Sequence, residues 1–519
     1  MCSGITAFNI KGIRTALLWA VFCIIIAFSF REAHLDIRTL ADGLPYAAAL
    51  LRDMFPPNFY ALEKILLLAA ETIAMGLWAT IIGIAFSIPL GLISAKNTSP
   101  NVFVYTGGKL LVNGMRAIPD LVCALIFVTS FGMGPVAGIL GLLIPAIGTL
   151  AKFYAEAIES IDTGPVEAVR AAGSHGLSII RHAVLPQVFP LFMGYNLYML
   201  DHNIRAAMTL GLVGAGGLGF ELFRQMRSFH YHKASAILVI VFLIITVIDR
   251  LSSYLRNGIT DGTFLNSRGR LKDWSLLSVF CLITGLSIFL VPVSLREIVA
   301  GIPRIRDFLS GMFPPDFSPI FTDMKLMLET VGMGISGTFI AMLIAVPLGM
   351  LSAKSITRSP FIYNITKEIT NFFRAMPELM FALIFVAAVG LGPFAGVLAL
   401  ALHTAGFLGK FYAEAIENVD PKPVEATEAT GASFLQIIRH AIFPQVSPLF
   451  HSYNLYILDR NIRASTLMGI VGAGGIGFEL VMSMKLFDYR HTATLMIIIL
   501  TTVMLVDWAS SYLRNKVVA

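Results

Sequence analysis

The chain has 519 residues, of which 56% are hydrophobic and 13% charged, with a net charge of +6 and a mean hydropathy of +0.77. A soluble globular protein carries about 25% charged residues, so this composition sets aside a soluble fold and points to a polytopic membrane protein. The positive balance fits Lys- and Arg-rich loops rather than nucleic-acid binding, and the four cysteines (Cys2, Cys23, Cys123, Cys281) form neither a C-x-x-C pair nor a disulfide framework.

Residues 15–30, "TALLWAVFCIIIAFSF", form the first uncharged run, behind Lys11 and Arg14. A cleaved signal peptide is the rival reading. It fails because no small-residue cleavage site follows, and because a matching run stands at 274–291, far from any N-terminus. Further spans are expected near 65–94, 102–131, 134–159, 184–212 and 233–252. Each exceeds or approaches the roughly 20 apolar residues that cross a bilayer.

From "FPP" at 55–57 onward the chain repeats itself, and that triplet returns at 313–315. "RAIPDL" at 116–121 becomes "RAMPEL" at 374–379, "KFYAEAIES" at 152–160 becomes "KFYAEAIEN" at 410–418, and "SSYLRN" at 252–257 returns at 510–515. The offset is 258 throughout, too long for a solenoid repeat. Adding it to the first set of spans gives the second. The fold expected is therefore an all-α integral membrane protein with about 12 transmembrane helices in two six-span repeats. Six spans return the chain to its starting side, so the repeats are parallel. The first repeat occupies 1–257 with a core at about 65–256, and 258–273 is a polar cytoplasmic linker. The second occupies 274–519 with a core at about 323–514.

The positive-inside rule orients the spans. Lys11, Arg14, Lys96, Lys152, Arg170, Arg181, Arg250, Arg256, Arg268, Arg270 and Lys272 fall on or near the cytoplasmic side, which also holds both termini. The segment 224–233, "RQMRSFHYHK", is the exception and falls outside.

Charges within spans are costly and usually face the bundle interior or water. The repeat pairs Glu71 with Glu329, Arg116 with Arg374, Asp120 with Glu378, Asp201 with Asp459, and Arg205 with Arg463. Arg116 and Asp120 stand four apart, so one helical turn can pair them, and Asp201 and Arg205 repeat the spacing. Two readings stand: packing ion pairs, or a path in which Arg116, Arg374, Arg205 and Arg463 attract an anion. His403 matches Pro145 in the other copy and reads as a lone packed or pore histidine rather than a metal ligand.

After the fourth span comes "DTGPVEAVRAAGSHGLSIIRHAVLPQV" at 162–188, and its partner "DPKPVEATEATGASFLQIIRHAIFPQV" at 420–446. Pro165 and Pro423 suit a first helical turn. Glu167 and Glu425 follow, and Gly173 and Gly431 break the helix, so each copy presents a polar helix–Gly–helix corner in the cytoplasm. This pattern resembles the coupling loop of ATP-binding-cassette importer permeases, although Val169 and Thr427 replace the usual Ala, and Ala183 and Ala441 replace a larger aliphatic. "RAMPELMFALIFVAAVGLGPFAGVLALALHTAGFLGKFYAEAIE" at 374–417 and "NIRASTLMGIVGAGGIGFEL" at 461–480 resemble the phosphonate-transport permease subfamily, whose members are often single-copy chains that dimerise.

The resemblance implies a type I importer permease for phosphonates or related phosphorus oxyanions, multi-pass in the bacterial inner membrane. Glu167, Ala168, Gly173, Glu425, Ala426 and Gly431 would dock two cytoplasmic ATPase subunits. ATP and Mg would belong to those subunits, the chain itself binding no cofactor and no metal. An extracytoplasmic substrate-binding protein would deliver the solute, and surrounding lipid is the remaining partner. The alternatives are the same machinery for another solute such as methionine, or a secondary transporter with parallel repeats. The paired corners argue against the second.

"LVGAGGLGFEL" at 212–222 matches G-x-G-x-x-G through Gly214, Gly216 and Gly219, and recurs as "IVGAGGIGFEL" with Gly472 and Gly474. A dinucleotide fingerprint needs a preceding buried strand, and none is expected here. No G-x-x-x-x-G-K-[ST] occurs either. The resemblance instead places this glycine stretch beside the outer gate of the pore.

Overall fold

The computed structural model describes residues 20–260, 284–291, 295–357 and 359–518. The described residues are helices and their connections. Among them, 7 helices are long and apolar enough to cross a membrane, or up to 10 when each of 3 bent pairs counts as one span. The ten divide evenly between the copies. The expected leading spans at 14–30 and 272–288 lie partly outside the described residues. With them the chain is an all-α, multi-pass membrane protein of about 12 spans in two repeats.

Each copy is organised around its longest helix, Leu62–Ser94 in one and Ile320–Leu351 in the other. At 33 residues the first extends about 50 Å, more than the hydrocarbon thickness requires. It packs along Pro135–Glu159 and Leu185–Leu210, as Ile320–Leu351 does along Pro393–Glu417 and Phe443–Met468. The backbones approach closely where the sequence places glycine. A Cβ at Gly76 would stand 2.6 Å from Ile204, and one at Gly334 would stand 2.8 Å from Ile462. Small residues at such crossings allow the van der Waals packing that holds helices together in lipid. Buried amides add polar pins. Asn203 Nδ2 donates to Thr80 Oγ1 at 2.9 Å, and Asn461 Nδ2 donates to Thr338 Oγ1 at 2.9 Å.

The spans expected at 102–131 and 360–389 are not continuous helices. Val102–Ala117 and Asp120–Phe131 meet at 81°, and Pro360–Ala375 and Glu378–Val389 meet at 91°. Pro119 and Pro377 explain both breaks. Proline offers no amide and pushes the residue before it out of the helical region. Ile118 and Met376 accordingly adopt extended ψ values of 121° and 123°. This corrects the expectation that Arg116 and Asp120 share a helical turn, since the break falls between them.

Contacts divide the chain into two compact units, Asp53–Gly311 and Met1–Arg52 with Met312–Ala519. In the first unit, the amphipathic helix Leu295–Gly311 packs on Asp120–Phe131, and a Cβ at Gly301 would lie 2.1 Å from the Phe131 ring. In the second unit, the helix at 20–32 sets Phe22 and Phe30 edge-on to Phe339, with centroids 6.3 and 5.9 Å away. Gly43, on Ile37–Asp53, faces Val389. The repeat register assigns 1–257 to one copy. By contacts, residues 20–52 keep company with the core that follows Met312.

Candidate functional site

The two helix–Gly–helix corners are built alike. Asp162 caps the helix Thr163–Ala171, its Oδ1 accepting the Gly164 amide at 3.0 Å, and Asp420 does the same for Lys422 at 3.1 Å before Pro421–Ala429. Neither 9-residue helix has a buried residue. Glu167, Ala168, Glu425 and Ala426 are all exposed. The chain then turns through Gly173 at φ +81° and Gly431 at φ +76°, a left-handed geometry that favours glycine. A Cβ at either glycine would meet nothing within 4 Å. Beneath each corner lies an apolar seat. Val166 and Ile179 pack on a cluster containing Ile158, Val184 and Val188, and Val424 and Ile437 pack on one containing Ile416, Ile442 and Val446. A five-residue π turn, Ile180–Val184 or Ile438–Ile442, joins each corner to the span behind it.

The "KFYAEAIE" motif anchors this region to its neighbours. Tyr154 donates to Asn196 and stacks on Phe192 with centroids 4.0 Å apart. Tyr412 is paired in the same way with Asn454 and Phe450. Glu159 accepts the Lys96 amide at 2.8 Å and Glu417 accepts that of Lys354 at 2.7 Å, closing the loop after the longest helix.

At the other end of the fifth span, the glycine stretch folds as a tight reversal. A short turn at Gly211–Val213 leads into Gly214 at φ +98°, then Gly216 and Gly217 at φ +84° and +68°, and a helix begins at Gly217. Its N-terminus is already occupied by this chain's own side chains. Leu218 N–H donates to Thr72 Oγ1 at 2.9 Å. In the second copy Gly475 N–H donates to Glu329 Oε1 and Ile476 N–H to Thr330 Oγ1, both at 2.9 Å. The positive end of a helix favours an electron-rich oxygen, and here the Glu329 carboxyl supplies it. A Cβ at Gly216 would lie 2.7 Å from the Glu71 carboxylate, and one at Gly474 lies equally close to Glu329. The amides that a nucleotide phosphate would need are therefore satisfied internally. Gly219 serves packing: a Cβ there would stand 1.8 Å from the Met208 carbonyl.

The charges within spans separate into two kinds. Arg205 pairs with Asp201 across one helical turn and reaches Asp249 at 3.5 Å, and Arg463 pairs with Asp459. These satisfy the spacing read from the sequence. Asp120 and Glu378 instead meet basic groups on other helices. Asp120 lies 3.4 Å from His202 Nε2. Glu378 Oε2 lies 3.0 Å from His403 Nε2 and 3.8 Å from Arg460. His403 is buried, its Nδ1 2.7 Å from the Met376 carbonyl, and Arg460 Nη2 approaches its Nε2 at 2.9 Å. Arg460 and Arg374 stand 4.3 and 6.0 Å from the Phe407 ring centroid. His403 is thus packed, but it is the hub of a polar cluster rather than alone. The sequence reading missed Arg460, although the repeat pairs it with His202 and so places a basic residue opposite an acid in both copies.

A family profile described as "Binding-protein-dependent transport system inner membrane component" matches residues 87–261 and 345–518. The phosphate-import permease protein PhnE of Mycolicibacterium smegmatis is 35% identical over 484 residues, covering 92% of this chain and 90% of that protein. The phosphite transport system permease protein PtxC of Stutzerimonas stutzeri is 43% identical over 236 residues, covering 46% of this chain and 86% of that protein. A protein of Escherichia coli named as a cryptic phosphonate transport system permease is 45% identical over 119 residues, covering 23% of this chain and 98% of that protein.

Proposed function

The chain belongs to the family of binding-protein-dependent transport system inner membrane components, and from that premise we propose that it is the channel-forming subunit of an ATP-driven importer for phosphonates or related phosphorus oxyanions. It performs no covalent chemistry. Cytoplasmic ATPase subunits hold ATP and Mg, and an extracytoplasmic binding protein delivers the solute. Both termini and both corners face the cytoplasm. The ATPase binds the two transport states with different affinity, and that difference drives the change of access.

One observation carries this reading: the duplicated corner. Each is an exposed knob of nine helical residues with no buried side chain, closed by a left-handed glycine and seated on span residues. A short exposed helix that no described residue covers is suited to docking a partner. The phosphorus oxyanion follows from the relatives named for phosphate, phosphite and phosphonate. The glycine stretches around Gly214, Gly216, Gly472 and Gly474 line the outer gate in this reading.

The test is reconstitution in liposomes with the ATPase and binding protein. ATP-dependent uptake of labelled methylphosphonate, phosphite or phosphate is expected. Uptake that follows an ion gradient without the ATPase would instead establish a secondary transporter, and ATP-dependent uptake of methionine alone would reassign the cargo.

A further inference from the structure

A π turn forms the joint between each corner and its span. Its i→i+5 bonding widens the helix, a feature frequent at functional sites. Pro186 and Pro444 stand two residues beyond its end, and each removes a backbone donor. The joint is bridged in both copies by the residue after that proline. Gln187 Oε1 accepts the Asp162 amide at 3.1 Å, and its Nε2 donates to the Asp162 carbonyl at 3.3 Å. The same Nε2 donates to the Ala183 carbonyl, inside the π turn, at 2.9 Å. Gln445 reproduces all three contacts, with Asp420 at 3.1 and 3.5 Å and with Ala441 at 2.8 Å.

We propose that Gln187 and Gln445 are positioning residues that brace the coupling corner against the span behind it, so that the two move as one lever. This rests on the reading of the corners as the ATPase docks. Asp162 and Asp420 are the caps at which the corner helices begin, so a side chain holding both backbone groups of the cap fixes where each helix starts. Bonding the π-turn carbonyl with the same nitrogen ties that start to the span. A primary amide carries the two donor hydrogens and the acceptor oxygen that these three contacts use; ionised Glu has acceptors alone and Leu has neither. The two corners differ at many positions, among them Gly164 against Lys422, Arg170 against Glu428 and Gly176 against Phe434. The three contacts are kept across those differences. The bonds to Asp162 and Asp420 are exposed, and exposed bonds contribute little to folding. The apolar seat beneath each corner holds it in place by packing, and the brace sets its direction.

The experiment uses the complete transporter in liposomes, with uptake and ATP hydrolysis measured in the same vesicles. In the double variant Gln187→Leu with Gln445→Leu, the complex assembles and hydrolyses ATP. Uptake falls by about tenfold relative to hydrolysis, within the usual range of coupling between sites. An unchanged ratio of ATP consumed to solute moved overturns the proposal, whether both rates persist or both fall together. Should the double variant fail to assemble, the single variants are read by the same ratio, with the same outcomes. Failure of the docking reading shows separately, as unimpaired co-purification of the ATPase with Gly173→Arg and Gly431→Arg together.

Discussion

Glu329 Oε1 accepts the Gly475 amide at 2.9 Å across 146 residues of chain. The helix entering at Gly475 is thereby capped by a carboxylate from the longest helix of the same copy. Hydrogen bonds of this kind contribute about 0.5–3 kcal/mol, from neutral to charged partners. Glu329→Ala should therefore lower the thermal midpoint of the purified chain, and Glu329→Gln, which keeps an oxygen acceptor, should recover most of it. Equal losses from the two substitutions would show that the oxygen contributes nothing. Added ADP or NAD should leave the midpoint where it was, because the loop amides are already bonded.

Gly173 and Gly431 allow docking to be separated from folding. A non-glycine residue in the left-handed region costs about 1–2 kcal/mol, and an added Cβ meets nothing within 4 Å. Gly173→Arg or Gly431→Arg should therefore insert and fold, yet abolish uptake because the side chain projects from the proposed docking surface. Membrane fractionation and uptake check the two halves of the claim, and wild-type uptake in both variants sinks it.

Stoichiometry gives a third test. One chain carries two corners, so the purified transporter should contain one copy of this chain with two ATPase subunits. Native mass measurement decides it, and two copies of the chain per complex would contradict the expectation.

Much of this architecture is legible in the sequence, and the failures have physical causes. Span positions follow from apolar length, and the constant offset of 258 transfers each one to the second copy. The corner is readable because proline, glutamate and glycine each fix a local backbone choice. The breaks at Pro119 and Pro377 were also written in the chain, but membrane helices often tolerate an internal proline, as Pro89 and Pro347 do here. Proline alone does not distinguish a kink from a break. The amphipathic helices Ile37–Asp53 and Leu295–Gly311 escaped a search for long apolar runs. The packing of Gly43 against Val389 joins residues hundreds of positions apart, which no local periodicity encodes. For the same reason, Glu71 and Glu329 read from sequence as costly charges within spans, whereas the fold sets both against the glycine loops.

The last prediction concerns the cluster around Glu378. Its close partners are His403 and Arg460, so the informative pair is Glu378 with Arg460. Breaking a fully buried pair by removing one member costs about 3–5 kcal/mol, and partial exposure of both side chains should reduce that figure. Arg460→Met leaves Glu378 with His403 alone and should lower the yield of folded protein. Glu378→Met with Arg460→Met should restore most of that yield, because no charge is left without its counterpart. Transport then separates the two roles. If the cluster serves packing, the double variant carries phosphite or phosphonate at the wild-type rate. If Arg460 attracts the passing anion, the double variant folds, couples to its ATPase and transports poorly. The first copy provides the control. Asp120 and His202 occupy the same register with Pro145 in place of His403, so the parallel change Asp120→Leu with His202→Leu should cost less in both yield and uptake. A larger loss from the first-copy change would place the anion path at Asp120 and His202 instead.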